Sequence, residues 1–214
     1  MSFEPDEVAD VHGGQESVAS NPGQVSVNHL VFYSCYPFFL IVAVAVVVVG
    51  GILLLVGLLS QALPAWIGMV VLILGLGIVI GRSYINSLIM ANGDTCPAIV
   101  LYPDENLIAV YADMSTTGLS FVPAIKIIRV PLSKSPLGPF KAKDRLTVVC
   151  TFMGDDDSEA WDDVSPIPTV CATKSEATVE RSLGTISDEH WKMVEEDLRD
   201  LPNKKRPRLQ FIRR

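Results

Sequence analysis

The residues of this chain best suited to chemistry are carboxylates. Asp155, Asp156, Asp157, Glu159, Asp162 and Asp163 crowd the segment that follows Gly154. Several carboxylate oxygens in one loop suit a hard cation such as Ca²⁺ or Mg²⁺. Asp155, Asp157 and Glu159 are therefore the candidate ligands of a metal-dependent, membrane-tethered enzyme. The segment lacks the alternating ligands and central glycine of an EF-hand loop, which favours a plain solvated turn. Other chemistry is thinner. His12, His29 and His190 share no ligand spacing, so they do not read as a zinc site. Cys150 and Cys171 lie in apolar strands, where inert buried thiols are the rule. No phosphate loop, dinucleotide fingerprint or nucleophile elbow occurs. The sequence predicts no catalytic residue and no cofactor, and it assigns no reaction.

The element that positions everything else is a membrane anchor. Residues 30–81 run for 52 positions without Asp, Glu, Lys, Arg or His. The first predicted span, 38–59, has 22 residues, about 33 Å of helix against a hydrocarbon core of roughly 30 Å. Seventeen of the 22 are Val, Ile, Leu or Phe, worth at most about −5 to −10 kcal/mol of insertion free energy. The second span covers 65–84. Its helix should continue towards Met90, with Arg82 snorkelling to the headgroups. The short link 60–64 allows only an antiparallel hairpin. Tyr33, Tyr36 and Trp66 fall near the expected interfaces. A cleaved signal peptide does not fit, because Glu4, Asp6, Glu7, Asp10 and Glu16 precede the apolar run and no basic residue does. The spans carry no charge, which argues against a coupled transporter.

All 17 Lys and Arg lie at or after Arg82, which predicts a multi-pass protein of the cell (inner) membrane with both termini cytoplasmic. Cys96, Cys150 and Cys171 form an odd set in the soluble part and suit the same reducing compartment. Residues 1–29 read as a disordered acidic tail, 30–91 as the transmembrane hairpin, 92–201 as one soluble domain and 202–214 as a basic tail. In that tail Lys204, Lys205, Arg206 and Arg208, with Arg213 and Arg214, could join Arg82 in contacting an anionic leaflet. Each would contribute about 1 kcal/mol within a Debye length of the surface; a solubilising end is the alternative. One basic cluster on a chain of net charge −7 offers no nucleic-acid groove. Gly77 and Gly81 form a GxxxG pair, Gly68 and Gly75 are one heptad apart, and Gly50, Gly51 and Gly57 dot the first span; such small residues let backbones approach, either between copies in a homo-oligomer or between the two spans of one chain.

In the soluble part, 97–102 and 107–113 flank a Pro-Asp-Glu-Asn turn and predict a hairpin. Residues 122–130 predict a third strand, and the alternation over 146–153 a fourth. Residues 166–173 predict a fifth, held to an edge by its prolines. Ser175 and Ser187 are helix N-caps, and Trp191, Val194, Leu198 and Leu201 make an apolar stripe on the last helix. The predicted fold is α+β: a transmembrane hairpin, then a small antiparallel, barrel-like sheet with a C-terminal helix.

The stretch 93–98 (Gly-Asp-Thr-Cys-Pro-Ala), Trp161 with Ser165-Pro166-Ile167-Pro168, and Ser187-x-x-x-Trp191 resemble an uncharacterised bacterial family. In that family two N-terminal spans precede a soluble domain of unknown function. The resemblance implies no activity and no catalytic residue. The expectation is a membrane-anchored interaction protein at the cytoplasmic face, with an unknown protein partner. An accessory subunit or small oligomeric pore is the alternative from another class.

Overall fold

The computed structural model describes residues 25–60, 64–117, 120–155, 158–201 and 204–212. Three helices come first: α1 (His29–Cys35), α2 (Phe38–Ser60) and α3 (Ala65–Asn92). α1 was not predicted. Asn28 starts it by accepting from the Leu30 and Val31 N–H groups, the usual N-cap arrangement. α2 and α3 pack antiparallel along their length as the hairpin. α3 runs past Arg82, as expected, and ends at Asn92.

Six antiparallel strands follow as one curled, half-barrel sheet: β1 (Asp94–Tyr102), β2 (Leu107–Asp113), β3 (Pro123–Arg129), β4 (Arg145–Met153), β5 (Asp163–Pro168) and β6 (Arg208–Phe211). Their order is β5-β4-β1-β2-β3-β6. β5 is an edge, as its prolines require. It stops at Pro168 because Thr169–Cys171 wind into a 3-10 turn, the second of two; the first, Leu132–Lys134, follows β3. β6 comes from the segment read as a basic tail and pairs with β3 from Ala124↔Phe211 to Ile127↔Arg208. Two helices, α4 (Glu176–Leu183) and α5 (Asp188–Asp200), begin at the predicted caps Ser175 and Ser187.

Strand alternation divides the core between the two faces of the sheet. Ile99, Leu107, Tyr111, Ile125 and Ile127 pack against Trp191, Val194 and Leu198 of α5. Ala98, Val100, Ile108, Val110 and Val148 face the other way, beneath Leu132, Val170, Val179 and Cys35. α4 is fastened to β4 by a buried hydroxyl chain. Ser182 Oγ donates to Thr147 Oγ1 at 2.8 Å, and Thr147 and Thr169 share a 2.9 Å hydrogen bond. The fold is the predicted α+β architecture.

Candidate membrane-anchoring site

An apolar helix belongs either inside a core or in hydrocarbon, and its burial distinguishes the two. α2 and α3 are each long and apolar enough to cross a membrane, and only 11% of the most apolar window of either is buried. Val44, Ile52, Leu55, Leu58, Ile73, Leu74 and Ile80 are at least half exposed. No soluble core covers this surface.

Small residues decide where the two helices meet. Gly50, Gly57, Gly68, Gly75 and Ala43 are the buried positions along the crossing. A Cβ on Gly68 would lie 2.1 Å from Leu54 N, one on Gly50 2.5 Å from Leu72 N, and one on Gly75 2.7 Å from Val47 Cγ2. Gly77 and Gly81 meet nothing within 4 Å. Of the two roles open to that pair, packing of one span on the other therefore falls to different glycines. The sequence marks all of these glycines as small residues, but period alone does not say which side of α3 faces α2.

At the open end of the hairpin, α1 lies against α3. Tyr33 Oη and Ser83 Oγ share a 2.9 Å hydrogen bond. The Arg82 guanidinium sits 4.5 Å from the centre of the Phe39 ring, a cation–π distance, and forms no salt bridge among the described residues. His29 Nδ1, Arg82 Nε and both amide atoms of Asn86 are buried without a hydrogen-bond partner among the described residues. Asn86 is completely buried. Such a group normally costs about 1–3 kcal/mol unless water or a ligand satisfies it. Tyr36 turns towards the soluble core instead of an interface, and burial, reinforced by Cys171 and Cys35, pushes its phenol well above the ordinary range.

α3 enters β1 without a loop. Gly93 makes the junction, and a Cβ there would lie 2.6 Å from Val149 Cγ1 and 2.8 Å from the Cys150 carbonyl. Met90, in the last turn of α3, packs with Val149, Ala172 and Val25. Asn28 N–H donates to the Ala172 carbonyl at 2.7 Å. The hairpin is thus tied to the domain twice, through α3 into β1 and through α1 onto the 3-10 turns.

The remaining candidate residues are dispersed. Asp155 and Glu159 lie in the acidic segment and Asp157 lies outside the described residues. Among the described residues no three His, Cys, Asp or Glu side chains converge as metal ligands. Gly154 adopts φ 151° and a Cβ there would meet Asp162 N at 2.8 Å, so this turn needs glycine. Asp163 belongs to a different interaction, accepting from Lys126 Nζ at 2.6 Å. Burial pushes its carboxyl up, but the Lys126 ammonium and the Val164 N–H outweigh that and hold it below the ordinary carboxylate range. In the tail, Lys205 pairs with Glu105 at 2.9 Å and lies over Tyr102, Lys204 donates to the Arg199 carbonyl at 3.3 Å, and Arg208 donates to Gln210 at 2.8 Å. Arg206 is exposed. Arg213 and Arg214 lie outside the described residues.

The cysteines change most. Cys35, just before the first span, is buried in the core of the soluble domain. All four cysteines are buried, free thiols, and they form two pairs, Cys35 with Cys171 and Cys96 with Cys150. The odd count drawn from the soluble part alone therefore no longer bears on the compartment.

A profile for proteins of unknown function, DUF3239, matches residues 87–201 of the chain. The chain belongs to the DUF3239 family. Its DUF3239 region opens inside α3 and closes just after α5, so the last turns of the second apolar helix are part of the family unit. β6 and most of the hairpin lie outside it. No curated protein matches the chain. Among solved structures the chain is similar to one described as a "putative membrane protein from Corynebacterium diphtheriae". The two are 18% identical, with 56% of this chain and 100% of that one covered and a TM-score of 0.45.

Proposed function

We propose that α2 and α3 cross the cell membrane and hold the DUF3239 domain at its cytoplasmic face as a binding module for a protein partner. One observation carries this reading: two unburied apolar helices run, through α3, directly into the sheet of a packed domain. The anchor therefore fixes the position of the domain instead of merely tethering it. The absence of basic residues before Arg82 favours the cytoplasmic side. Arg82, at the mouth of the hairpin and without a carboxylate partner among the described residues, is suited to a lipid headgroup, and the bases of the C-terminal segment would add to it. A groove of about 380 Å³ between the segment 137–146 and α4 gives the domain a recess, lined by Phe140, Leu146, Val179 and Leu183 with Arg145 and Glu180 at its polar side.

Reporter fusions after Gly93 and after Arg214 test the reading. A cytoplasm-requiring fluorescent reporter should be active at both positions, and activity of an export-requiring phosphatase there would reverse it. A second reading, an accessory or pore-forming oligomer, is favoured by the open face around Gly77 and Gly81. Isoleucine at both positions should then dissociate a detergent-solubilised oligomer, and the wild type should conduct in liposomes.

A further inference from the structure

Cys35 is the last residue of α1 and Cys171 the last residue of the second 3-10 turn. They are separated by most of the chain and by the whole hairpin, yet both are buried in one cluster, at 4% and 0% exposure. The two thiols lie within hydrogen-bonding reach of one another. α1 and both 3-10 turns converge at this point.

We propose that Cys35 and Cys171 are a disulfide-forming pair, a redox latch that fastens the helix entering the first span to the soluble domain. Two comparisons within the molecule single out this pair. Cys96 and Cys150 also lie together, but on adjacent strands whose register pairs Asp94 with Cys150 and Cys96 with Val148. They are diagonal neighbours, with Cα atoms about 7–8 Å apart, at or beyond the ~7 Å limit for a disulfide. The ladder on both sides holds that spacing. Cys35 and Cys171 sit at the ends of two short elements and are free of any ladder. The other comparison concerns reactivity. The Cys171 hydrogen bond and the Lys134 ammonium outweigh burial and lower the Cys35 pKa, whereas Cys171 and Cys150 are raised. Among the described residues Tyr36 is the other titratable group facing the pair. Cys35 also rides on the seven-residue α1, the short element whose local opening uncovers it, and is the attacking sulfur.

The step needs a low-molecular-weight disulfide as oxidant, admitted when the seven-residue α1 opens locally. The Cys35 thiolate attacks one sulfur of that disulfide and expels a thiolate, leaving a mixed disulfide. Cys171, giving up its proton, then attacks the Cys35 sulfur and expels the second half of the oxidant. The protein loses two electrons and two protons, and the oxidant becomes two thiols. The bridge joins residues that the hairpin separates, so it adds a covalent tie to the packing and the Asn28–Ala172 backbone hydrogen bond that fasten the start of α1 to the second 3-10 turn.

The test uses the full-length wild-type chain in detergent with 4,4′-dithiodipyridine as the oxidant. Two equivalents of thiopyridone should be released per chain. The intact mass should fall by two hydrogens with no retained pyridyl group, and a peptic digest should join the Cys35 and Cys171 peptides. Cys171→Ser should stop at the mixed disulfide and retain one thiopyridyl group on Cys35. A bridge between Cys96 and Cys150, a stable adduct on the wild type, or no release from the folded chain would each overturn the proposal. These wild-type outcomes decide it even if the variant does not fold. They do not depend on which side of the membrane the domain occupies.

Discussion

Gly68→Ala is the smallest change that tests how the hairpin is built. It adds one methyl group, and that methyl would lie 2.1 Å from Leu54 N and 2.4 Å from Leu54 Cα, where ordinary contact begins at 3.4 Å. Both obstructing atoms are backbone, so no rotamer change relieves the clash. α2 and α3 must move apart by about 1 Å, and the neighbouring close contacts at Gly50 and Gly75 loosen with them. Overpacking of this kind costs about 1–3 kcal/mol. Opposing it is the helix propensity gained on replacing glycine by alanine, at most about 1 kcal/mol. The clash wins, and Gly68→Ala should lower stability. Gly77→Ala is the internal control, because its methyl meets nothing within 4 Å and only the propensity gain remains. Thermal midpoints of the detergent-solubilised variants, followed by fluorescence-detected size exclusion, should fall for Gly68→Ala and stay level or rise for Gly77→Ala. Equal midpoints for the two, or a loss only at Gly77, would refute the assignment of the inner seam.

Trp191→Ala, which empties a buried position under the sheet, should cost roughly 3–5 kcal/mol in chemical denaturation; an unchanged midpoint would mean that α5 is undocked. Gly93→Ala should destabilise the junction by forcing a Cβ against Val149 and the Cys150 carbonyl, and a wild-type melting temperature would show that α3 and β1 are loosely joined. The lowered pKa of Asp163 makes its pairing with Lys126 stabilising above the ordinary carboxylate range of about 4, and that contribution is lost as pH falls through the folded value. Asp163→Asn should therefore be less stable than wild type at neutral pH and match it in strong acid; a difference independent of pH would remove the charge from the explanation. Deleting residues 203–214 removes β6 from the edge of β3 and Lys205 from Glu105, so it should lower the denaturation midpoint. A truncated chain as stable as wild type would return this segment to the status of an appendage.

What could be read from the sequence was local. Uninterrupted apolar length is a property of consecutive residues, and so are the alternation along β4, the Ser187 cap and the three- and four-residue spacing of the α5 stripe. Each names an element before its neighbours are known. The acidic segment was equally visible as composition. What the tertiary structure decided was partnership. Gly50, Gly68 and Gly75, not the GxxxG pair, lie on the inner seam because only the crossing of α2 and α3 says which side of each helix is inside. Arg208–Phe211 is a strand because the open edge of β3 supplies hydrogen bonds that a short charged segment cannot make alone. Cys35 belongs to the soluble core because α1 folds back onto the 3-10 turns, and its partner lies 136 residues further along the chain. No local pattern encodes a contact of that separation; it exists only once the sheet has closed and given both thiols the same place to be buried.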